Sequence, residues 1–253
     1  YLSYYFTALL FISIFNLFKK KKIFKFNKLI LTLFFILFFI ISLDIASKLN
    51  LGWDAKWFWY IKSLYFFQNY DFSYLSRYEF NSFHPHFGSY LWAFFRELSL
   101  SKFEYSGRIF YAFLYLSSLF FLIDKFEKNK IQNFTIIFLL LLITYNYKIF
   151  SGLQEVLIFS ILVIITRFIY EFINQKRNTY LIFIILCMNL ILWIKAEGIA
   201  YFMIILLGLN FIKNFELKKR LLLVFSSLSL VLFKTLVYKY FQISLNAQPY
   251  FIE

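Results

Sequence analysis

Several things are scarce in this chain, and each scarcity closes off a class of function. A single cysteine, Cys187, lies inside an apolar run, which excludes an intramolecular disulfide and any cysteine-built metal site. No glycine-rich phosphate loop is present, so there is no sequence signature of a nucleotide site. Only two histidines occur, His84 and His86, and a pair at i, i+2 is too few ligands for a metal centre. Prolines number two and charged residues 16%, against 62% apolar residues, a balance far from the roughly 45–50% apolar composition of soluble domains. An initiator methionine is also missing and the chain opens within an apolar run, so a piece of a longer protein is expected rather than a signal peptide.

What the chain does have is membrane-spanning character. Its 39 Phe and 20 Tyr accompany abundant Lys, Ile and Asn, a bias expected of an AT-rich genome, so most aromatics read as lipid-facing or packing residues. The formal charge is +14, yet the basic residues fall in short clusters between apolar runs. That pattern fits membrane orientation, and no nucleic-acid partner is expected.

Apolar runs near the length of a bilayer crossing occupy 2–18, 29–47, 106–123, 134–150, 153–170, 180–194, 198–212 and 221–238. The expected fold is all-α: a polytopic membrane helix bundle of about eight spans, forming a single transmembrane domain over 1–253. Basic clusters at "KKKKIFKFNK" (19–28), "DKFEKNK" (124–130), "NQKRN" (174–178) and "KNFELKKR" (213–220) all fall on one face under this division. By the positive-inside rule that face is cytoplasmic. The opposite face receives loop 48–105, the turn at 151–155, "KAEG" at 195–198 and the C-terminal "QISLNAQPYFIE". Loop 48–105 contains "AKWFWYIKSLYFF" and "FGSYLWAFFREL", segments rich in Trp and Tyr but too polar to span, which predicts two interfacial helices.

The groups able to carry chemistry gather on this face. Asp54, in "GWDAKWFWYIKSLYFF" (52–67), suits either a helix N-cap or a general base whose proton affinity is raised by partial burial beside Trp53, Trp57 and Trp59. "HPHFGSY" (84–90) suits a loop turn or a contact to a phosphate or sugar hydroxyl. Glu155, Lys195 and Glu197 stand where membrane helices meet. The runs flanking "KAEG" are short for a crossing, which puts its charges at or below the interface, where charge is costly and usually paired or functional.

"GWDAKWFWYIKSLYF" after an early membrane helix, then "HPHFGSYLWAFF", "SGLQEVLIF" and "IKAEGIAYF" in that order resemble bacterial GT-C superfamily membrane glycosyltransferases related to dolichyl-phosphate-mannose-protein mannosyltransferases. The resemblance covers roughly residues 29–212. It implies a polyprenyl-phosphate sugar donor, a glycan, lipid or protein acceptor, and a site on the extracytoplasmic face of a bacterial inner membrane. Asp54 then corresponds to the general base, His84 to the family's His-Pro histidine, Glu155 to an acidic residue opening a span, and "KAEG" to the family's "KNEG", with Ala196 in place of Asn. His86 and Phe87 stand where the family more often has an acidic or aromatic residue followed by proline. Lys195, His84, Lys56 or Arg96 would supply positive charge to the leaving phosphate, with His86 and Glu197 among the substrate contacts. No cofactor is required, and nothing in the sequence calls for a divalent metal.

The competing reading is a transporter or flippase for a lipid-linked or anionic substrate. It calls for inverted repeats and charges near the midplane, whereas these charges gather at one face without an evident repeat. The topology is checked by cysteine labelling from one side of the membrane: Ser82→Cys and Asn174→Cys are expected to react from opposite sides, and reaction of both from the same side would refute the span assignment.

Overall fold

The computed structural model describes residues 28–74, 84–100, 102–123, 130–146, 149–212 and 216–243. The expected span 2–18, the lysines of 19–27 and 124–129, Ser82 and the segment after Ile243 lie outside the described residues. Every regular element among the described residues is helical. In chain order these are α1 (Lys28–Ser47), a π-helical segment (Ala55–Tyr60) running directly into α2 (Ile61–Phe67), α3 (Phe87–Leu98), α4 (Glu104–Ile123), α5 (Lys130–Thr144), α6 (Glu155–Gln175), α7 (Asn178–Ile194), α8 (Gly198–Asn210) and α9 (Leu217–Tyr240).

Four of these helices are long and apolar enough to cross a membrane: Leu29–Ser47 within α1, and α4, α6 and α9. Three further apolar helices, Gln132–Thr144, Asn178–Ile194 and Gly198–Asn210, are shorter. An integral membrane protein follows from this length and composition. Exposed Leu, Ile and Phe side chains along α7, α8 and α9 belong with that setting, since lipid-facing positions need no protein cover.

The chain divides into two compact units, Tyr1–Ile41 and Ser42–Glu253, the boundary falling inside α1. In the first, the described residues Lys28–Ile41 are a continuous apolar helix with no acidic residue in its first turn. In the second, α6 packs on both α4 and α7, α3 on α2 and α4, and α7 also receives α8 and α9. The core runs through Trp92, Tyr111, Tyr115, Leu116, Val156, Leu157 and Ile184, all essentially inaccessible.

Two segments expected to lie in the interface do form helices. "AKWFWYIKSLYFF" becomes the π-helical segment and α2, and "FGSYLWAFFREL" becomes α3. The α3 stripe of Trp92, Ala93 and Phe94 is buried while Glu97 and Leu98 are exposed, the one-sided pattern of an amphipathic helix. The run 134–150 is helical only to Thr144, whose hydroxyl donates to the Leu140 carbonyl, and the polar "YN" that follows is not helical.

Gly152 is the tightest backbone position in the link between α5 and α6. Its φ of +93° is a conformation that L side chains rarely adopt, and a β-carbon there would lie 2.5 Å from the Trp92 ring and 2.9 Å from Ala55 Cβ. Gly208, near the end of α8, has open space around it. Gly152→Ala is therefore expected to destabilise the protein by about 2–4 kcal/mol through backbone strain and overpacking. Gly208→Ala should be neutral or stabilising by up to about 1 kcal/mol through helix propensity. Denaturant unfolding of both variants in detergent checks the opposite signs.

Candidate functional site

One arginine organises the face on which the candidate groups stand. Arg108, in the second turn of α4, is 1% exposed. Its Nε and Nη2 donate to the two carboxylate oxygens of Glu104 at 2.7 and 2.8 Å. Nη1 donates to the Phe150 carbonyl at 3.1 Å, and the guanidinium also reaches the Lys48 carbonyl at 3.3–3.4 Å. The segment after α1 and the segment before α6 are thereby tied to one buried charge. A backbone bond from Gly52 N–H to the Ser151 carbonyl, 2.9 Å, joins the same two segments. Below them a buried relay runs from Gln154 Nε2 to the Tyr111 hydroxyl and on to the Gly88 carbonyl, fixing the start of α3.

These two segments wall a cavity of about 850 Å³ whose lining includes Asp44, Lys48, Trp53, Asp54, Arg108 and Ser151. Three of the four charged side chains in that lining are paired: Asp44 with Lys48 at 2.5 Å, and Arg108 with Glu104. Asp54 is the charged group left over. It occupies the N-cap position of the π-helical segment, but its backbone is already helical (φ −58°, ψ −39°) and its side chain makes no capping hydrogen bond. Burial by tryptophans is not found either: Asp54 is exposed, as are Trp53 and Trp57 (68% and 51%), and only Trp59 is buried. The chain enters this helix through Gly52 and Trp53, so the carboxylate faces open space.

A second group of charges lies where α6 begins and α7 ends. Lys195 Nζ donates to Glu155 at 2.6 Å and stands 3.5 Å from Glu197. Burial alone would lower the Lys195 ammonium, but the two glutamates outweigh it and hold its pKa above the ordinary lysine value. Lys195 is therefore a cation at neutral pH. His84 joins this group electrostatically. Its pKa falls to about 4, chiefly through burial and then through Lys62 and Lys195, with Glu197 opposing. At neutral pH His84 is thus a neutral imidazole, which leaves the positive charge to the lysines.

Lys62 is fully buried, donates to the His84 carbonyl at 2.9 Å and lies 5.6 Å from the Trp59 ring centre. A ladder of rings joins the two regions, Trp53 against Phe58 at 5.7 Å and Phe58 against His84 at 5.1 Å.

The structure thus brings Glu155, Lys195 and Glu197 into one cluster, sets His84 against Phe58 and Trp59 within its electrostatic reach, and puts Asp54 on the cavity wall. The other expected residues have different surroundings. His86 is buried among Phe66, Phe72 and Tyr238. Lys56 is exposed beside Trp57. Arg96 lies over the Phe67 ring and donates to the Lys102 carbonyl. Arg108 and Lys62 were not among the expected site residues. The signals for them were present: a Glu four residues before Arg at the head of an apolar run, and a lysine within an aromatic helix. Among the described residues no group of three His, Cys, Asp or Glu is arranged to hold a metal ion.

Comparison of the chain with protein-family models, with curated proteins and with solved structures gives no match.

The low pKa of His84 has a consequence for stability. An unfolded histidine takes up its proton near pH 6.5, whereas folded His84 resists until about pH 4. The unfolded state therefore binds more protons between these values, and the stability present above pH 6.5 is lost progressively as the pH falls towards 4. Thermal unfolding at pH 7 and pH 5 is expected to show a larger drop for the parent protein than for His84→Gln. An equal drop would mean that His84 is not held neutral.

Proposed function

We propose that the protein is an integral-membrane glycosyltransferase that moves a sugar from a polyprenyl-phosphate donor to a hydroxyl acceptor, with Asp54 as general base. The observation that carries this reading is Asp54 itself, an exposed carboxylate with no capping bond and no ion pair on the wall of a cavity whose other charges are matched. A carboxylate spared from structural duty and facing accessible space is equipped to accept a proton. The resemblance of the four motifs to GT-C enzymes gives that proton transfer a reaction.

In this reading the acceptor oxygen attacks the anomeric carbon and gives its proton to Asp54. A new C–O bond forms, the bond from that carbon to the lipid phosphate oxygen breaks, and the phosphate leaves with the electron pair. Lys195 meets the charge that develops on the phosphate. Its ammonium is held between two carboxylates in the free protein, and Glu155, with a side chain 51% exposed, is the partner a phosphate displaces. Neutral His84 contributes a hydrogen bond, not charge. The topology that goes with this reading has about eight spans, with residues 48–105 and the break at 195–198 on the extracytoplasmic face of a bacterial inner membrane. The acceptor is a glycan, lipid or protein bearing a free hydroxyl.

Asp54→Asn is expected to abolish sugar transfer while the protein remains inserted and folded, because the amide cannot accept a proton at neutral pH. With no capping bond to lose, Asp54→Ala should change stability by no more than about 0.5 kcal/mol. The measurement is transfer of label from a polyprenyl-phosphate sugar in membranes containing the protein, beside thermal unfolding of each variant. Undiminished transfer by Asp54→Asn removes Asp54 as the base.

A further inference from the structure

Lys234 is a cation inside α9, six residues before the end of a helix apolar enough to span a membrane, or about 9 Å along its axis. Such a residue is expected to turn its ammonium towards the nearer water. Here it turns to another helix instead: Nζ donates to the Leu192 carbonyl at 2.6 Å and lies 5.4 Å from the ring centre of Tyr238.

Leu192 belongs to the last turn of α7. The chain leaves that helix at Lys195, whose backbone is fully extended (φ −147°, ψ 154°), so the Leu192 carbonyl has lost the N–H of residue 196 that a continuing helix would bring to it. The carbonyl before it is crowded as well, since the Ile191 oxygen packs against Gly198 so closely that a β-carbon there would lie 2.2 Å away. The Lys234 ammonium takes the place of the Ala196 N–H. Were the carbonyl released, α7 could recapture that N–H and carry Lys195 into helical geometry, about 100° of rotation per residue around the axis. The contact of Lys195 with Glu155 is made from this extended backbone.

We propose that Lys234 is a positioning residue for Lys195: by occupying the Leu192 carbonyl it fixes where α7 ends, and so holds the Lys195 ammonium against Glu155 and Glu197. The consequence for ligand binding rests on the reading of Lys195 as the group that meets the donor phosphate. Lys234 itself touches no substrate in this scheme. Its effect must pass through Lys195, and that makes the proposal separable from a general contribution to stability.

The test is a double-mutant cycle on binding of undecaprenyl phosphate to the full chain in detergent, followed by native mass spectrometry. Lys195→Met and Lys234→Met are each expected to weaken binding about tenfold, and the double variant also about tenfold, since the second substitution removes nothing the first has left. Lys234→Arg, which keeps a cationic donor, should restore most of the affinity. Thermal unfolding accompanies each variant, and Lys234→Gln replaces Lys234→Met in the cycle if the latter does not fold. Parent-level affinity in Lys234→Met, or a loss near a hundredfold in the double variant, overturns the proposal. Absence of binding by the parent refutes the donor-phosphate reading together with this one, whereas additive losses in a parent that binds refute only the positioning role.

Discussion

The structure depends on cationic side chains that reach from one helix to a carbonyl at the end of another. A helix leaves its last carbonyls without N–H partners, and where water is scarce each unmet group costs several kcal/mol. The chain offers few of the glycines that usually close helices and many lysines and arginines. Arg108 takes the carbonyls of Lys48, just past α1, and Phe150, just before α6. Arg167 of α6 takes that of Leu122 at the end of α4. Lys234 of α9 takes that of Leu192 at the end of α7. Each bond gives a cation and a carbonyl a partner at once, and at the C-terminal ends of α1, α4 and α7 the helix dipole also favours the cation.

The candidate site is arranged around the same bonds. Arg108 gathers the two segments that wall the cavity, and because Glu104 grips it through both oxygens, its geometry is fixed from behind. Loss of that guanidinium would leave a half-buried carboxylate and two carbonyls unmatched, so the segments it ties would loosen together. The cavity then owes its shape to a residue that does no chemistry. Under the proposed function, Asp54 is the base because the neighbouring charges are already paired.

The helices were legible in the sequence because apolar runs of the right length have few other outcomes. The existence of α1, α4, α6 and α9 and of the helices at 55–67 and 87–98 follows from those patterns. Lengths were less legible: α5 stops at Thr144 where the apolar run continues to Phe150. In the candidate site, Lys195 and Glu197 were visible as charges interrupting an apolar stretch, but the main partner of Lys195, Glu155, stands forty residues away, and no local spacing reports that contact. The surroundings of Asp54 were misjudged for a related reason. Three tryptophans close in sequence suggested burial, yet a helical path sends Trp53 and Trp57 outward and only Trp59 inward. His86 and His84, two residues apart, divide between rings of Phe66, Phe72 and Tyr238 and rings of Phe58 and Trp59.

The π-helical segment from Ala55 to Tyr60 acts as a shim. A π turn accommodates one residue more than an α turn, so everything before it is rotated by about 100° relative to an uninterrupted helix. Asp54 lies before the segment, and the buried Lys62 and Ser63 lie after it. The direction in which the carboxylate points relative to the face that α2 packs is therefore set by how this segment is wound. Six residues in π winding turn through about the same angle as five in α winding, so deleting one residue from "AKWFWY" would leave the carboxylate facing as it does, whereas α winding of all six would turn it by about 100°. The winding of six residues thus carries as much of the proposed site as the identity of the aspartate.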